Sequence, residues 1–258
     1  MSLVREDILA VLAKDFSHKR ALGRRALCKV LIELSLKVET SETILDLGCG
    51  SGRLLIPLAK LYPHKKFVGV DLSEEMLISL RDNVVGEGLT NVEVIKADFD
   101  NGWTEKLSSI KFDLVIFFQS IHFVGDLPRL VNRVKTILSD KGSMIIASTN
   151  HEQFYGLPYC RSLEKVLKRE LSRTPDEPVI VRAFTDGGFS LINRVILTVK
   201  KQFTPSTLEM WTQSRPFSVL AYLTNVEFKK WQKNFHERVS GREVVIDRMV
   251  ILTFGLVG

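Results

Sequence analysis

Only three cysteines, Cys28, Cys49 and Cys160, occur in the 258 residues, and no two of them stand in C-x-x-C spacing. An odd number without paired spacing argues against a disulfide framework and against a cysteine zinc site, and it points to a reducing compartment. No apolar run approaches the ~18 residues needed to span a bilayer, so no membrane partner is expected. The start of the sequence carries Arg5, Glu6 and Asp7 where a signal peptide would need an apolar stretch, and a cytoplasmic location is expected. Long blocks of one charge are missing as well. The net charge is +6, yet Lys65-Lys66, Lys168-Arg169, Lys200-Lys201 and Lys229-Lys230 are short pairs with acids nearby, the pattern of solvated faces. Hydrophobic residues make up 45% and charged residues 26% of the chain, which suits a large buried core and gives no sign of disorder.

What is present is a motif. Ile44 to Arg53 (ILDLGCGSGR) reads as a buried strand running into a glycine-rich turn and then a helix. Glycines at 48, 50 and 52 let the backbone take positive φ and approach a ligand closely. A dinucleotide fingerprint, G-x-G-x-x-G, would need a glycine where Arg53 stands. The spacing is D-x-G-x-G-x-G, led by Asp46; the glycines alone would also suit a bare strand-to-helix turn. Residues 66–73 read as a second strand ending in Asp71, about 20 residues beyond the turn, where an acid can accept hydrogen bonds from both ribose hydroxyls of an adenosyl group. A helix-capping acid is the competing use of Asp71. Ser73 is a good N-cap, and Glu74 and Glu75 follow in the first turn, where the helix dipole favours negative charge. Residues 91–99 form a third strand ending at Asp98, and Phe112 to Gln119 a fourth whose continuous apolar run marks a central parallel strand. A fifth, Ser143 to Ser148, follows a helical pattern over 127–138 and a turn at Asp140-Lys141-Gly142.

The motif with its leading acid resembles the first motif of the class I S-adenosylmethionine-dependent methyltransferases. The resemblance implies an α/β fold, a doubly wound, Rossmann-like, seven-stranded and mostly parallel sheet with N-terminal helices and helical inserts forming a lid. It implies S-adenosyl-L-methionine as cofactor, S-adenosyl-L-homocysteine as product, and no metal. It implies cofactor contacts from Asp46, Gly48, Cys49, Gly50, Gly52, Asp71, Leu72, Met76, Asp98, Phe99 and Gln119, with Asp98 on the adenine amino group and Phe99 packed on the ring. Gln119 to His122 fall where such enzymes face the methionyl end and the acceptor. Methyltransferases that act on base amino groups show an Asn-Pro-Pro-Tyr or Asp-Pro-Pro-Tyr tetrad there to grip an extruded base. This chain has Phe118-Gln119-Ser120-Ile121, and the Pro-Cys pair of the cytosine carbon enzymes is missing. The expected acceptor is therefore a small molecule, methylated on oxygen, nitrogen or carboxyl. RNA or protein acceptors and a non-catalytic cofactor-binding protein are the alternatives.

The chain reads as one methyltransferase domain over 1–258. Residues 1–40 form a helical cap, with apolar spacing over 3–16 and 20–38, and 41–150 form the cofactor-binding core. Residues 151–182 make a lid insert in which Pro158, Pro175 and Pro178 interrupt a helix around 162–171, and 183–258 hold the last strands with a helical insert over 206–238. This layout resembles the trans-aconitate methyltransferase type of small-molecule enzyme (methyltransferase type 11/25). His122 is the candidate catalytic base, because it follows the fourth strand and imidazole titrates near neutral pH; a polar wall residue is the other reading. His151, Tyr155 and Tyr159 belong to the expected lid, where contact with an acceptor competes with plain surface placement, and Arg20, Arg24 and Arg161 are either binders of an anionic substrate or solvated surface charges. Trp211, Phe217, Tyr222 and Trp231 suit core packing better than a pocket. A monomer or homodimer is expected.

Overall fold

The apolar runs of the sequence become the strands of one seven-stranded sheet: β1 (Thr43–Leu47), β2 (Lys66–Asp71), β3 (Val92–Lys96), β4 (Phe112–Phe118), β5 (Leu138–Ser148), β6 (Phe189–Lys201) and β7 (Val245–Leu256). The computed structural model describes residues 24–98, 103–107, 109–201, 209, 218–239 and 245–257. The helix expected over 3–16, Arg20, the Arg24 side chain, Phe99, Trp211 and Phe217 lie outside them. The strand order is β3-β2-β1-β4-β5-β7-β6. Strands β1 to β5 run parallel, and β7 is antiparallel to both of its neighbours. The order reverses between β1 and β4, the switch point at which such sheets open a crevice at their carboxyl ends.

Helices α1 (Arg24–Glu39), α2 (Leu55–Leu61) and α3 (Glu74–Gly86) cover one face, burying Leu31, Leu34, Leu55, Leu58, Leu77 and Leu80 against the strands. The other face packs under α4 (Leu127–Ile137) and, beyond α5 (His151–Phe154), α6 (Pro158–Arg161) and α7 (Glu164–Arg173), under α8 (Glu177–Asp186). Pro158 and Pro178 stand in the first turns of α6 and α8. They therefore start helices rather than interrupt one, because the first turn has no use for the missing N–H.

The turn expected at Asp140-Lys141-Gly142 is an excursion inside β5. Phe112 pairs with Leu138 and Leu114 with Ser143, so the intervening residues bulge out of the ladder and the strand starts earlier than expected. Asp113 holds this edge together: Oδ2 accepts from the N–H groups of Glu42 and Thr43 at 3.0 and 3.1 Å, and Oδ1 accepts from the Ser139 hydroxyl at 2.9 Å. A Cβ on Gly142 would lie 2.9 Å from the Ser139 carbonyl oxygen, so the excursion needs that glycine.

The inserts before β6 and before β7 share a separate small core of Val166, Val219, Leu220, Leu223, Trp231, Phe235 and Val239. At its centre Trp231 of α9 (Asn225–Val239) stacks on Phe228 and Phe235 at 5.7 and 4.9 Å between ring centres. Its indole N–H donates to the Tyr159 carbonyl at 2.8 Å. Trp231 is thus a packing residue, as its spacing suggests.

Candidate functional site

The glycine turn leaves β1 with three positive φ angles, 82° at Gly48, 53° at Gly50 and 88° at Gly52, a region that L side chains enter only at a cost. The N–H groups of Gly48 and Cys49 both donate to the Val70 carbonyl, at 2.8 and 3.1 Å, which fastens the turn to the end of β2. Asp71 then bridges two elements: Oδ2 accepts from the Gly50 N–H and Oδ1 from the Ser73 N–H, each at 2.9 Å. Ser73 caps α3, its hydroxyl accepting from the Met76 N–H at 3.3 Å. The two uses weighed for Asp71 are therefore compatible, since each carboxylate oxygen retains a second lone pair.

Asp46 lies beneath the turn, 2% exposed, and its Oδ1 has no hydrogen-bond partner. Burial first, and then the charge of Asp71, push its carboxyl up to about 7, against the opposing pull of Arg53. Arg53 stands over the Phe118 ring at 5.0 Å. Its part in this balance went unread in the sequence, although a cation directly after the last glycine was the signal. Burial and the charges of Asp46 and Asp71 hold the Cys49 thiol well above its usual range, so it is protonated. It packs instead, with Sγ 3.0 Å from the point where a Cβ on Gly69 would fall.

At the neighbouring strand ends, Leu72 is exposed and Met76 half-buried, while Asp98 follows β3. Gln119, directly after β4, takes φ 55° and donates its N–H to the Ala147 carbonyl at 2.8 Å. Ser120 is buried and its hydroxyl donates to the Leu47 carbonyl at 2.5 Å, tying β4 to β1 at the switch point. A small hydroxyl residue ending an apolar strand was the only hint of that tie.

His122 sits in the turn Ile121–Phe123, and its Nε2 is buried without a hydrogen-bond partner. Burial, and then the positive charge of Arg173, push its imidazole down to about 3. The expectation of near-neutral titration is therefore corrected: the ring is neutral at physiological pH and a weak base. Two lid residues are committed elsewhere. His151 closes its insert, Nε2 lying 2.7 Å from the Thr174 carbonyl oxygen, and the Tyr159 hydroxyl donates to Glu170 at 3.2 Å. Tyr155 and Arg161 are exposed, and Tyr222 lies under the Arg169 guanidinium at 3.4 Å. The carboxyl ends of β1 to β4 thus gather Asp46, the glycine turn, Asp71, Asp98, Gln119 and His122, and leave His151 and Tyr159 to the lid.

Comparison with known proteins agrees with this arrangement. The sequence model of a family described as "Methyltransferase domain" matches residues 39–181. The chain is 30% identical over 128 residues to an aklanonic acid methyltransferase from Streptomyces sp. (strain C5), covering 49% of this chain and 54% of that protein. It is 24% identical over 132 residues to a malonyl-[acyl-carrier protein] O-methyltransferase from Paenibacillus sp. (strain JDR-2), covering 51% and 48%. The chain spans about half the length of these curated relatives. A coclaurine N-methyltransferase solved with N-methylheliamine and S-adenosylhomocysteine shares the fold, with a TM-score of 0.61 at 16% identity, covering 93% of this chain and 75% of that one. Because the family match takes in the glycine turn and all the strand ends around it, more than half of the chain, the protein belongs to the methyltransferase domain family and has the class I, S-adenosylmethionine-dependent architecture.

Proposed function

We propose that the protein transfers a methyl group from S-adenosylmethionine to a small-molecule acceptor. The observation that carries this reading is the buried Asp46 carboxyl, its Oδ1 without a hydrogen-bond partner, at the foot of a glycine turn whose Gly50 faces open space: a Cβ there would meet nothing within 4 Å. Two acids side by side, Asp46 and Asp71, make a site suited to a ligand carrying sulfonium and ammonium charges, because an adjacent cation offsets the cost of ionising a buried carboxyl. In this reading the methionyl part lies along Gly48 to Gly52 above Asp46, with Cys49 and Gln119 as walls. Asp71 offers its remaining lone pairs to the ribose hydroxyls, Asp98 accepts from the adenine amino group, and Leu72 and Met76 pack on the ring.

The cofactor brings an already activated methyl group. The chain's own residues align the acceptor and keep water out, where much of the rate originates. Relatives named for a small acceptor, among them a juvenile hormone acid O-methyltransferase from Bombyx mori and a tetrahydroprotoberberine N-methyltransferase from Eschscholzia californica, support a metabolite over a nucleic acid.

Calorimetry tests the reading. S-adenosylmethionine and S-adenosylhomocysteine bind the wild type, and Asp71→Ala weakens both by about 10- to 100-fold, as expected for lost hydrogen bonds to a charged group. Binding of NADH with none of either sulfur ligand overturns it.

A further inference from the structure

Over the carboxyl end of β4, Arg173 of α7 reaches from the lid to the His122–Phe123 turn, with Cζ 6.0 Å from the centre of the Phe123 ring. Its Nε donates to Glu170 Oε2 at 2.6 Å and its Nη1 to the Ser218 hydroxyl at 2.8 Å. Glu170 is 3% exposed and its other oxygen is taken by the Tyr159 hydroxyl. Both lid inserts therefore fix the guanidinium in one orientation, and among the described residues its Nη2 has no partner. Beside it, the His122 ring lies 4.1 Å from Phe123, centre to centre, with Nε2 buried and unpartnered. Phe123 itself is 55% exposed, leaving an apolar face next to these two polar groups.

A guanidinium with a spare N–H near a neutral imidazole favours an anionic oxygen and repels an ammonium group. A phenol or amine acceptor would arrive carrying a proton, and His122, neutral down to about pH 3, is too weak a base to remove it. Glu170 pairs with the guanidinium through Nε and so sets its orientation, leaving the Nη2 edge for a second anionic oxygen.

We propose that Arg173 and His122 bind the carboxylate of the methyl acceptor, so that the substrate is a carboxylic acid with an apolar body lying on Phe123, and the product is its methyl ester. This rests on the methyltransferase reading above. A lone pair of the carboxylate oxygen forms the new bond to the methyl carbon while the carbon–sulfur bond breaks and its pair stays on sulfur; no proton has to leave.

The test incubates the protein with methyl-labelled S-adenosylmethionine and a fractionated metabolite extract, then treats the labelled product with mild alkali. An ester releases labelled methanol, the expected result. Label that withstands alkali marks an ether or amine product and overturns the carboxylate inference while leaving methyl transfer standing. No labelled product in any fraction, although S-adenosylhomocysteine binds, overturns both. With the acid identified, the double variant Arg173→Gln, Glu170→Gln avoids stranding a buried carboxylate. It should raise KM for the acid about 10- to 100-fold with a smaller change in kcat, the pattern of lost ground-state binding. S-adenosylhomocysteine affinity serves as the check on folding, and an unchanged KM in a folded variant overturns the assignment of Arg173.

Discussion

Gly50 and Gly52 stand two residues apart with φ of the same sign, yet their surroundings give an added methyl group opposite consequences. At Gly52 a Cβ would fall 2.5 Å from Leu80 Cδ1 and 2.8 Å from Ile56 Cγ1. Gly52→Ala therefore combines backbone strain with overpacking and should lose about 2–4 kcal/mol in denaturant unfolding. At Gly50 only the left-handed conformation is penalised, about 1–2 kcal/mol, but the methyl projects into the space assigned to the cofactor. Gly50→Ala should lose most S-adenosylhomocysteine binding in calorimetry while its unfolding midpoint falls less than that of Gly52→Ala. A variant that binds normally would show that the open side of the turn is not the ligand side. The glycine turn and Asp71 were legible in the sequence because their demand is local, a φ sign or an acid at a strand end. Ser120 and Arg173 were not, since each acts on a residue far away in the chain and only packing brings the partners together.

Among the elements, the two lid inserts show most clearly what sequence patterning reaches and where it stops. The helical spacing of Trp231 and Phe235 identified a buried face, but nothing in it said that the face packs on the insert before β6. Trp231 is fully buried in a core that the sheet does not share. Trp231→Ala should destabilise this unit by about 3–5 kcal/mol and speed proteolysis within 151–173 and 218–239, while residues 43–148 keep their hydrogen-exchange protection. Equal loss of protection in the sheet would mean that lid and sheet unfold as one unit. The strands were easier to read, because apolarity on both faces of β4 survives any change of register. The β5 excursion was harder: Asp140-Lys141-Gly142 has turn chemistry, and only the pairing of Phe112 with Leu138 and of Leu114 with Ser143 shows that the ladder continues on both sides of it.

For the molecule as a whole, two buried groups titrate against each other. Asp46 is raised from 3.8 to about 7, so its contribution to stability is fully present below 3.8 and is lost as pH rises towards 7. His122 is lowered from 6.5 to about 3, so its contribution is present above 6.5 and is lost as pH falls towards 3. Between about pH 4 and 6.5 the two slopes oppose each other at roughly 1.4 kcal/mol per pH unit each, and their sum is flat. Urea titrations across this range should show Asp46→Asn gaining stability with rising pH and His122→Phe losing it. Parallel profiles for the two variants would refute both shifts.

Strand β7 lies between β5 and β6 although it follows both in the chain. While the protein is being made on a ribosome, β5 therefore keeps an open outer edge and β6 has no strand beside it until residues 245–257 have left the exit tunnel. The first five strands can assemble as they emerge, but the far side of the sheet closes only after translation has passed β7. During that interval the bare β5 edge offers unpaired backbone groups to a wrong partner, the kind of surface that chaperones cover.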